Sequence, residues 1–172
     1  NAITWASLQP EVDVSLVGVW GSSYSGGHVM HLAAFDRRVK AVVAQVPAVG
    51  AWEAYFAKLP PEQIAQISAT HADARAERMK TGTVLYAPVV APPGQPGVMT
   101  APGAHEFFME SAEDAPRWQN RVSVESLETG MYYDPTEYIE LIAPTPLLMI
   151  IAGDDVVTPT AVQKRAFERA RE

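Results

Sequence analysis

The sequence predicts an α/β fold with a parallel sheet, and three short apolar runs are the main basis for this prediction. They are residues 14–20, 39–46 and 146–152, which are rich in β-branched side chains and nearly free of polar residues. Continuous apolarity is typical of strands covered on both faces, as in parallel sheets. A predicted helix, residues 26–35, separates the first two runs, so that strand, helix and strand form a right-handed βαβ unit.

Composition narrows the class of protein. The chain has 172 residues, of which 48% are hydrophobic and 19% charged, as in a globular protein. A net charge of −7 argues against a surface for nucleic acid or an anionic membrane. The absence of cysteine excludes disulfides, a thiolate nucleophile and cysteine-ligated metals. No apolar run is long enough to span a membrane, which takes roughly 20 residues.

The spacing of the runs predicts three segments. Residues 1–46 and 144–172 form the α/β core, and residues 47–143 form an insertion. Large insertions in α/β domains are often functional, so we expect a helical cap over an active site, the alternative being a structural decoration. Helices are predicted at residues 52–59 and 61–80, an irregular Pro/Gly-rich loop at 87–104, and short aromatic helical pieces at 106–109, 117–120 and 136–141.

A tight turn, residues 21–25, joins the first predicted strand to the helix. Such a strand-to-helix turn forces its apex residue into a strained backbone conformation and aims that side chain out of the sheet. Small residues are required two positions before and two after the apex. Ser23 meets this requirement, with Gly21 before it and Ser25 after it, whereas Ser22 would place aromatic residues there. We therefore predict Ser23 as a nucleophile.

The alternative for this turn is a phosphate-binding loop at a helix N-terminus. Glycine-rich loops of that kind cradle anions with backbone N–H groups. The sequence has neither the Gly-x-Gly-x-x-Gly pattern nor the Walker lysine here, which makes that interpretation weaker.

A serine nucleophile needs a base, and the base needs an orienting carboxylate. The third apolar run leads into residues 152–159 (AGDDVVTP), and functional groups of α/β folds lie just beyond such strand ends. We predict Asp155 as the acid rather than Asp154, because it lies deeper in the loop. The alternative is that both aspartates only begin a turn and cap the next helix.

Several segments together resemble the α/β-hydrolase superfamily. The similarity is closest to the branch with dienelactone-hydrolase-like members, X-prolyl-peptidase-like (S15) members, and the fungal polyketide transferases and hydrolases. The segments are residues 21–28 (GSSYSGGH), 36–47 (DRRVKAVVAQVP) and 145–159 (TPLLMIIAGDDVVTP), with residues 121–127 and 133–135 in the insertion.

The resemblance implies a role for each of three residues. Ser23 is the nucleophile, Asp155 is the triad acid, and the backbone N–H of Tyr24 is one donor of the oxyanion hole. It also implies a catalytic histidine beyond the acid, and core strands before the turn. We therefore expect the chain to be an internal piece of a longer hydrolase, inactive alone, with the N-terminal strands and the histidine segment as its partners.

None of the histidines in the chain is a good substitute for that base. His105, in the Pro/Gly-rich loop, is the one that could reach the site. For His28, His31 and His71 we expect structural or solvated roles.

The predicted function is a serine hydrolase that cleaves an ester, or less readily an amide or thioester, through an acyl-enzyme on Ser23. No metal or organic cofactor is implied. Aromatic residues in the insertion favour a small apolar acyl or aryl ester, although they could instead pack the insertion onto the core. The candidate substrate contacts are Trp52, Tyr55, Phe56, Phe107 and Phe108.

Other functions remain open. An acyltransferase would use the same Ser23 chemistry, and a peptidase releasing X-Pro dipeptides would need an acidic subsite, for which Glu53, Glu110 and Glu113 are candidates. A non-catalytic binding protein of the same fold is a further alternative. We expect a cytoplasmic location, no binding of nucleic acid or membranes, and a possible homo-oligomer.

Overall fold

The computed structural model describes residues 1–170, which divide into two compact units. The larger unit comprises residues 1–57 and 134–170, and the smaller unit comprises residues 58–133. The smaller unit lies inside the range predicted for the insertion, whose boundaries stay a prediction.

The strands are β1 (Gly18–Ser22), β2 (Ala41–Gln45), β3 (Tyr86–Ala87), β4 (Val122–Ser123) and β5 (Leu147–Ile150). The α-helices are α1 (Ala2–Ser7), α2 (Tyr24–Phe35), α3 (Pro61–Thr81), α4 (Ala104–Glu113), α5 (Val124–Tyr132) and α6 (Thr160–Glu168). Short 3-10 helices occur at Val14–Leu16 and Pro135–Leu141, and a π-helical turn at Trp52–Phe56.

The larger unit contains the predicted parallel sheet, in the order β1-β2-β5. Val42, in the central strand, lies opposite Val19 on one side and Leu147 on the other. Helix α2 connects β1 to β2, so the predicted βαβ unit is confirmed. The carboxyl ends of all three strands meet at one edge, where the candidate site residues follow β1 and β5.

The described residues cover only one face of this sheet. Val42 and Ala44 are buried in a core with side chains of α2, the 135–141 helix and α6. Neighbours in a parallel ladder share a face, so the register places Trp20 and Leu148 together on the opposite face, where they are 63% and 56% exposed. The apolar runs indicate strands that can be covered on both faces, and within residues 1–170 the second face is open.

Some predicted elements differ from the structure for local reasons. Residues 14–16 form a 3-10 helix rather than strand, because the Asp13 carboxylate accepts hydrogen bonds from both the N–H and the hydroxyl of Ser15. Residues 117–120 form a turn rather than a helix, because the Asn120 amide pairs with the backbone N–H and carbonyl of Val90. The helix predicted at 52–59 is a π-helical turn over residues 52–56.

The smaller unit is built around the long helix α3. It ends at Gly82, whose φ of +78° is the left-handed conformation that glycine adopts at helix ends. Ion pairs connect its Arg75 and Arg78 to Glu128 and Glu125 of α5. Strands β3 and β4 pair antiparallel beside them.

None of the helices within residues 1–170 combines the length and apolarity that crossing a membrane would require.

Arg37 lies between α2 and β2 and connects this segment to the one that leads into β5. Its guanidinium donates hydrogen bonds to the carbonyls of Leu141, Ile142 and Ala143, at 2.9, 3.4 and 3.1 Å. These carbonyls lie at the end of a helix, where intrahelical donors are missing. Arg37 therefore supplies the missing hydrogen-bond donors and connects its own segment to the one that leads into β5.

We expect Arg37→Ala to lower the free energy of unfolding by about 1–3 kcal/mol, because several carbonyls lose a charged donor. Arg38→Ala is the matched control, since Arg38 makes an exposed ion pair with Asp36, a kind of contact that contributes little to stability. Urea unfolding of the full-length variants measures both effects. Equal losses would contradict the role given to Arg37.

Candidate active site

Ser23 has the strained backbone predicted for the apex of the turn. It lies between β1 and α2 with φ of +54° and ψ of −122°. A residue other than glycine in this region costs about 1–3 kcal/mol and persists only when its surroundings fix it. The conformation therefore points to a set of contacts that hold Ser23 in place.

Those contacts come from the segment that follows β2. The N–H of Ser23 donates to the carbonyl of Gln45 at 2.9 Å, and the N–H of Ala48 donates to the carbonyl of Ser23 at 2.8 Å. Val46, between these partners, also has a positive φ, of +38°, and its N–H donates to the carbonyl of Ile150 at 2.7 Å. The Ser23 turn and residues 45–48 thus hold each other by reciprocal backbone hydrogen bonds.

The small residues around Ser23 are required by close backbone contacts. A Cβ on Gly21 would lie 2.2 Å from the carbonyl oxygen of Ser25, and one on Gly26 would lie 2.9 Å from the Cα of Pro47. Ser25 adds hydrogen bonds to the turn. The Ser25 hydroxyl donates to the carbonyl of Ser22 at 2.8 Å and accepts from the N–H of Ser22 at 3.0 Å. Serine at this position therefore closes the turn.

The turn also provides an environment that favours negative charge. Tyr24 is the first residue of α2, so its N–H lies at the positive end of the helix dipole, directly after Ser23. A negative charge that develops on an acyl oxygen near Ser23 would be stabilised at this position.

Asp155 accepts several hydrogen bonds in the loop after β5. Its Oδ1 accepts from the N–H groups of Val157 and Thr158, both at 2.8 Å, and its Oδ2 accepts from the Thr158 hydroxyl at 2.5 Å. Burial raises the pKa of Asp155, but the hydrogen bonds from Thr158 and Val157 outweigh it, so the pKa is lowered overall. The carboxylate is therefore ionised at neutral pH.

Thr158 is itself held from α6. It is 3% exposed, and the side-chain amide of Gln163, which is 1% exposed, donates to the Thr158 carbonyl and, at 3.2 Å, to its hydroxyl oxygen. Asp154 is exposed. Neither aspartate caps α6, because its N-cap residue is Pro159. These features distinguish Asp155 from its neighbour.

Tyr55 contacts the same loop. Its hydroxyl donates to the carbonyl of Val157 at 2.5 Å, and burial together with the nearby charge of Asp155 raises the pKa of Tyr55. The other aromatic residues predicted to contact substrate pack in pairs. Trp52 stacks on Phe56 with ring centroids 6.0 Å apart, and Phe107 meets Phe108 edge-on at 5.5 Å. Their roles toward a substrate stay a prediction.

The two histidines of the larger unit, His28 and His31, both lie on α2, the helix that follows Ser23. The ring of His28 contacts Tyr24 edge-on at 4.6 Å. His31 packs against the rings of Phe35 and Tyr138. In the smaller unit, His71 is buried on α3, and His105 borders a cavity of about 450 Å³ lined by residues 91–106. Over residues 1–170, no group of acidic and histidine side chains is arranged to hold a metal ion.

Sequence reasoning missed the residues that hold the two loops. Residues 45–48 act through backbone groups, which carry no side-chain signature. Gln163 and Tyr55 are distant in sequence from Asp155, and only the fold brings them to its loop. Thr158 lies within the loop predicted to carry the acid, and its hydroxyl three residues after Asp155 was the available signal.

Comparison with known proteins shows which proteins the chain is similar to. No protein-family model matches the chain. The chain is 27% identical over 175 residues to the thiohydrolase AneE of Aspergillus aculeatus, covering 98% of this chain and 54% of that protein. It is also 27% identical to the polyketide transferase GrgF of a Penicillium species, covering 100% of this chain and 56% of that protein. The chain thus spans about half the length of the curated relatives it matches.

Solved structures of two of these or similar proteins superpose on the chain. The crystal structure of the α/β hydrolase GrgF superposes with a TM-score of 0.80 at 27% identity, covering 99% of this chain and 57% of that one. The structure of DcsB in complex with its substrate analogue superposes with a TM-score of 0.82 at 26% identity, covering 98% and 57%. The parallel sheet, the flanking helices and these similarities show that the chain has the fold of the α/β hydrolases.

Proposed function

We propose that this chain carries the nucleophile and the acid of a serine hydrolase that acts on esters or thioesters through an acyl-enzyme. The observation that carries the proposal is the positive φ of Ser23 at the carboxyl end of a parallel strand, directly before the N-terminus of α2. Strain of this kind is characteristic of a side chain presented for chemistry.

The proposed reaction assigns one step to each group. The Ser23 oxygen attacks the acyl carbonyl, and its proton passes to a histidine. The carbonyl oxygen becomes an oxyanion, to which the N–H of Tyr24 donates. The thiol or alcohol leaves with the proton from that histidine, and water then releases the acid from Ser23. Asp155 remains ionised and orients the histidine. Removing one oxyanion donor costs about 3–4 kcal/mol in such sites.

We propose that the histidine comes from a segment outside this chain. Asp155 has capacity for it, because a carboxylate offers about four acceptor positions and residues 1–170 occupy three of them. The exposed sheet face that carries Trp20 and Leu148 is apolar and suits a covering segment of the same protein. The relatives' greater length is consistent with this proposal.

The proposed substrate has an apolar acyl or aryl group. The names of the relatives, a thiohydrolase and a polyketide transferase, favour a thioester alongside the ester. In the larger unit, the aromatic residues Trp52 and Phe56 supply apolar surface of the right character.

Acyl transfer to an alcohol or amine is the second candidate function, favoured by the polyketide transferase among the relatives. It would give turnover only when an acceptor is added. The X-Pro peptidase is less well supported, because Glu53, one of the candidates for its amine subsite, is paired with Arg165. A binding protein without catalysis would need neither a strained Ser23 nor an ionised Asp155.

We expect Ser23→Ala to abolish hydrolysis of thioesters and p-nitrophenyl esters by the full-length protein, with a loss of at least about a thousandfold, because no acyl-enzyme can form. Ser68→Ala is the matched control, since Ser68 is exposed on α3. Steady-state kinetics measure the effect. Equal activity of the two variants would overturn the proposal.

We expect Thr158→Val to raise the pKa of Asp155. The hydroxyl that lowers this pKa is lost, while burial, which raises it, remains. The ionised form of Asp155 is then lost at a higher pH than in the unaltered protein, and a carboxyl ¹³C NMR titration of the full-length protein measures the change. Thr158→Ser keeps the donor and should leave the pKa in place. An unchanged Asp155 pKa in Thr158→Val would exclude this role of Thr158.

We also expect higher kcat/KM for p-nitrophenyl esters with apolar acyl groups than for those with charged or hydroxylated ones, because aromatic surface gains from apolar burial. A series of esters of equal chain length gives the comparison. Preference for the polar members would remove the substrate assignment.

A further inference from the structure

One continuous segment, residues 45–56, contacts both loops of the proposed site. At its start, Gln45 and Ala48 hydrogen-bond the backbone of Ser23. At its end, the hydroxyl of Tyr55 hydrogen-bonds the carbonyl of Val157 in the Asp155 loop. The position of this segment therefore affects the nucleophile and the acid together.

The Tyr55 end of this segment is fixed to α6 by further contacts. Glu53, on the same π-helical turn, forms an ion pair with Arg165. Gly50 approaches α6 so closely that a Cβ there would lie 2.7 Å from Val162 Cγ1, and its N–H donates to Asp134 Oδ1 at 3.2 Å. The turn that carries Tyr55 is therefore held in place by contacts other than the hydrogen bond from Tyr55 to Val157.

The hydrogen bond from Tyr55 affects Asp155 through the carbonyl oxygen of Val157. The carbonyl of Val157 and the N–H of Thr158 belong to the same planar peptide unit. Tyr55 donates to the oxygen of that unit at 2.5 Å, while its N–H donates to Asp155 Oδ1 at 2.8 Å. Fixing the oxygen fixes the direction of the N–H, and hydrogen bonds in series polarise one another.

We propose that Tyr55 is a positioning residue for Asp155, which acts through the peptide unit between Val157 and Thr158 rather than by contact with substrate. This inference rests on the proposed function of Ser23 and Asp155. The sequence predicted Tyr55 as a substrate contact. For its hydroxyl the inference replaces that expectation, because the hydroxyl already donates a hydrogen bond to the carbonyl of Val157.

The test is Tyr55→Phe, which deletes the hydroxyl and keeps the ring. In the full-length protein we expect kcat for a p-nitrophenyl ester to fall about tenfold, the equivalent of one hydrogen bond, with KM changed less than about twofold. A changed substrate contact would instead raise KM. Tyr86→Phe is the control, since the ring of Tyr86 meets the guanidinium of Arg121.

A second readout does not depend on turnover. Carboxyl ¹³C NMR gives the pKa of Asp155, which should rise in Tyr55→Phe because the N–H of Thr158 is less well aimed at the carboxylate. The titratable side chains on the adjoining elements are Tyr55 and Glu53 on the π-helical turn, Asp154 in the loop, and Lys164, Arg165 and Glu168 on α6. Glu53 and Arg165 pair with each other, and Tyr55→Phe removes no charge at neutral pH.

The outcomes separate the two proposals. An active protein in which Tyr55→Phe keeps its kcat and its Asp155 pKa, or raises KM alone, overturns the inference and leaves the function of Ser23 intact. An inactive protein argues against the proposed function, and the NMR titration then decides whether Tyr55 positions Asp155. A lower kcat and a higher Asp155 pKa, both absent in Tyr86→Phe, support the inference.

Discussion

The reciprocal backbone hydrogen bonds between Ser23 and residues 45–48 are the constraint on which the rest of the site depends. They hold Ser23 at a φ of +54°, which a serine does not adopt without support. The same contacts set the approach of α2 to the end of β2, where Gly26 meets Pro47 too closely for a side chain. The hydrogen bonds between Ser23 and residues 45–48 therefore account both for the strained backbone of Ser23 and for the close packing of α2 on the end of β2.

The central strand of the sheet is well placed to transmit this constraint. Strand β2 pairs with β1, which leads into Ser23, and with β5, which leads into Asp155. The chain that continues from β2 contacts both loops. The backbone hydrogen bonds at this edge restrict the movement of the Ser23 and Asp155 loops relative to each other, which is what a preorganised site requires.

The sequence was sufficient where a local rule applied and insufficient where distant segments meet. The tight turn at Ser23 followed from small residues at fixed offsets, and the three strands of the parallel sheet followed from apolar runs, whereas the short strands β3 and β4 were not predicted. Three strands alone are expected to leave a face of the sheet open, but the apolar runs did not indicate which face, because residues such as Trp20 look the same whether or not another segment covers them. The turn at 117–120 depends on the amide of Asn120 and the backbone of Val90, a contact that periodicity does not encode.

The most direct test of the account is the mass of the full-length protein before and after reaction with a fluorophosphonate, followed by peptide mapping. Such reagents modify serines that are activated as nucleophiles. The account predicts a single adduct, on the peptide that contains Ser23. No adduct, or an adduct on another residue, would contradict the claim that the strained turn after β1 presents the nucleophile.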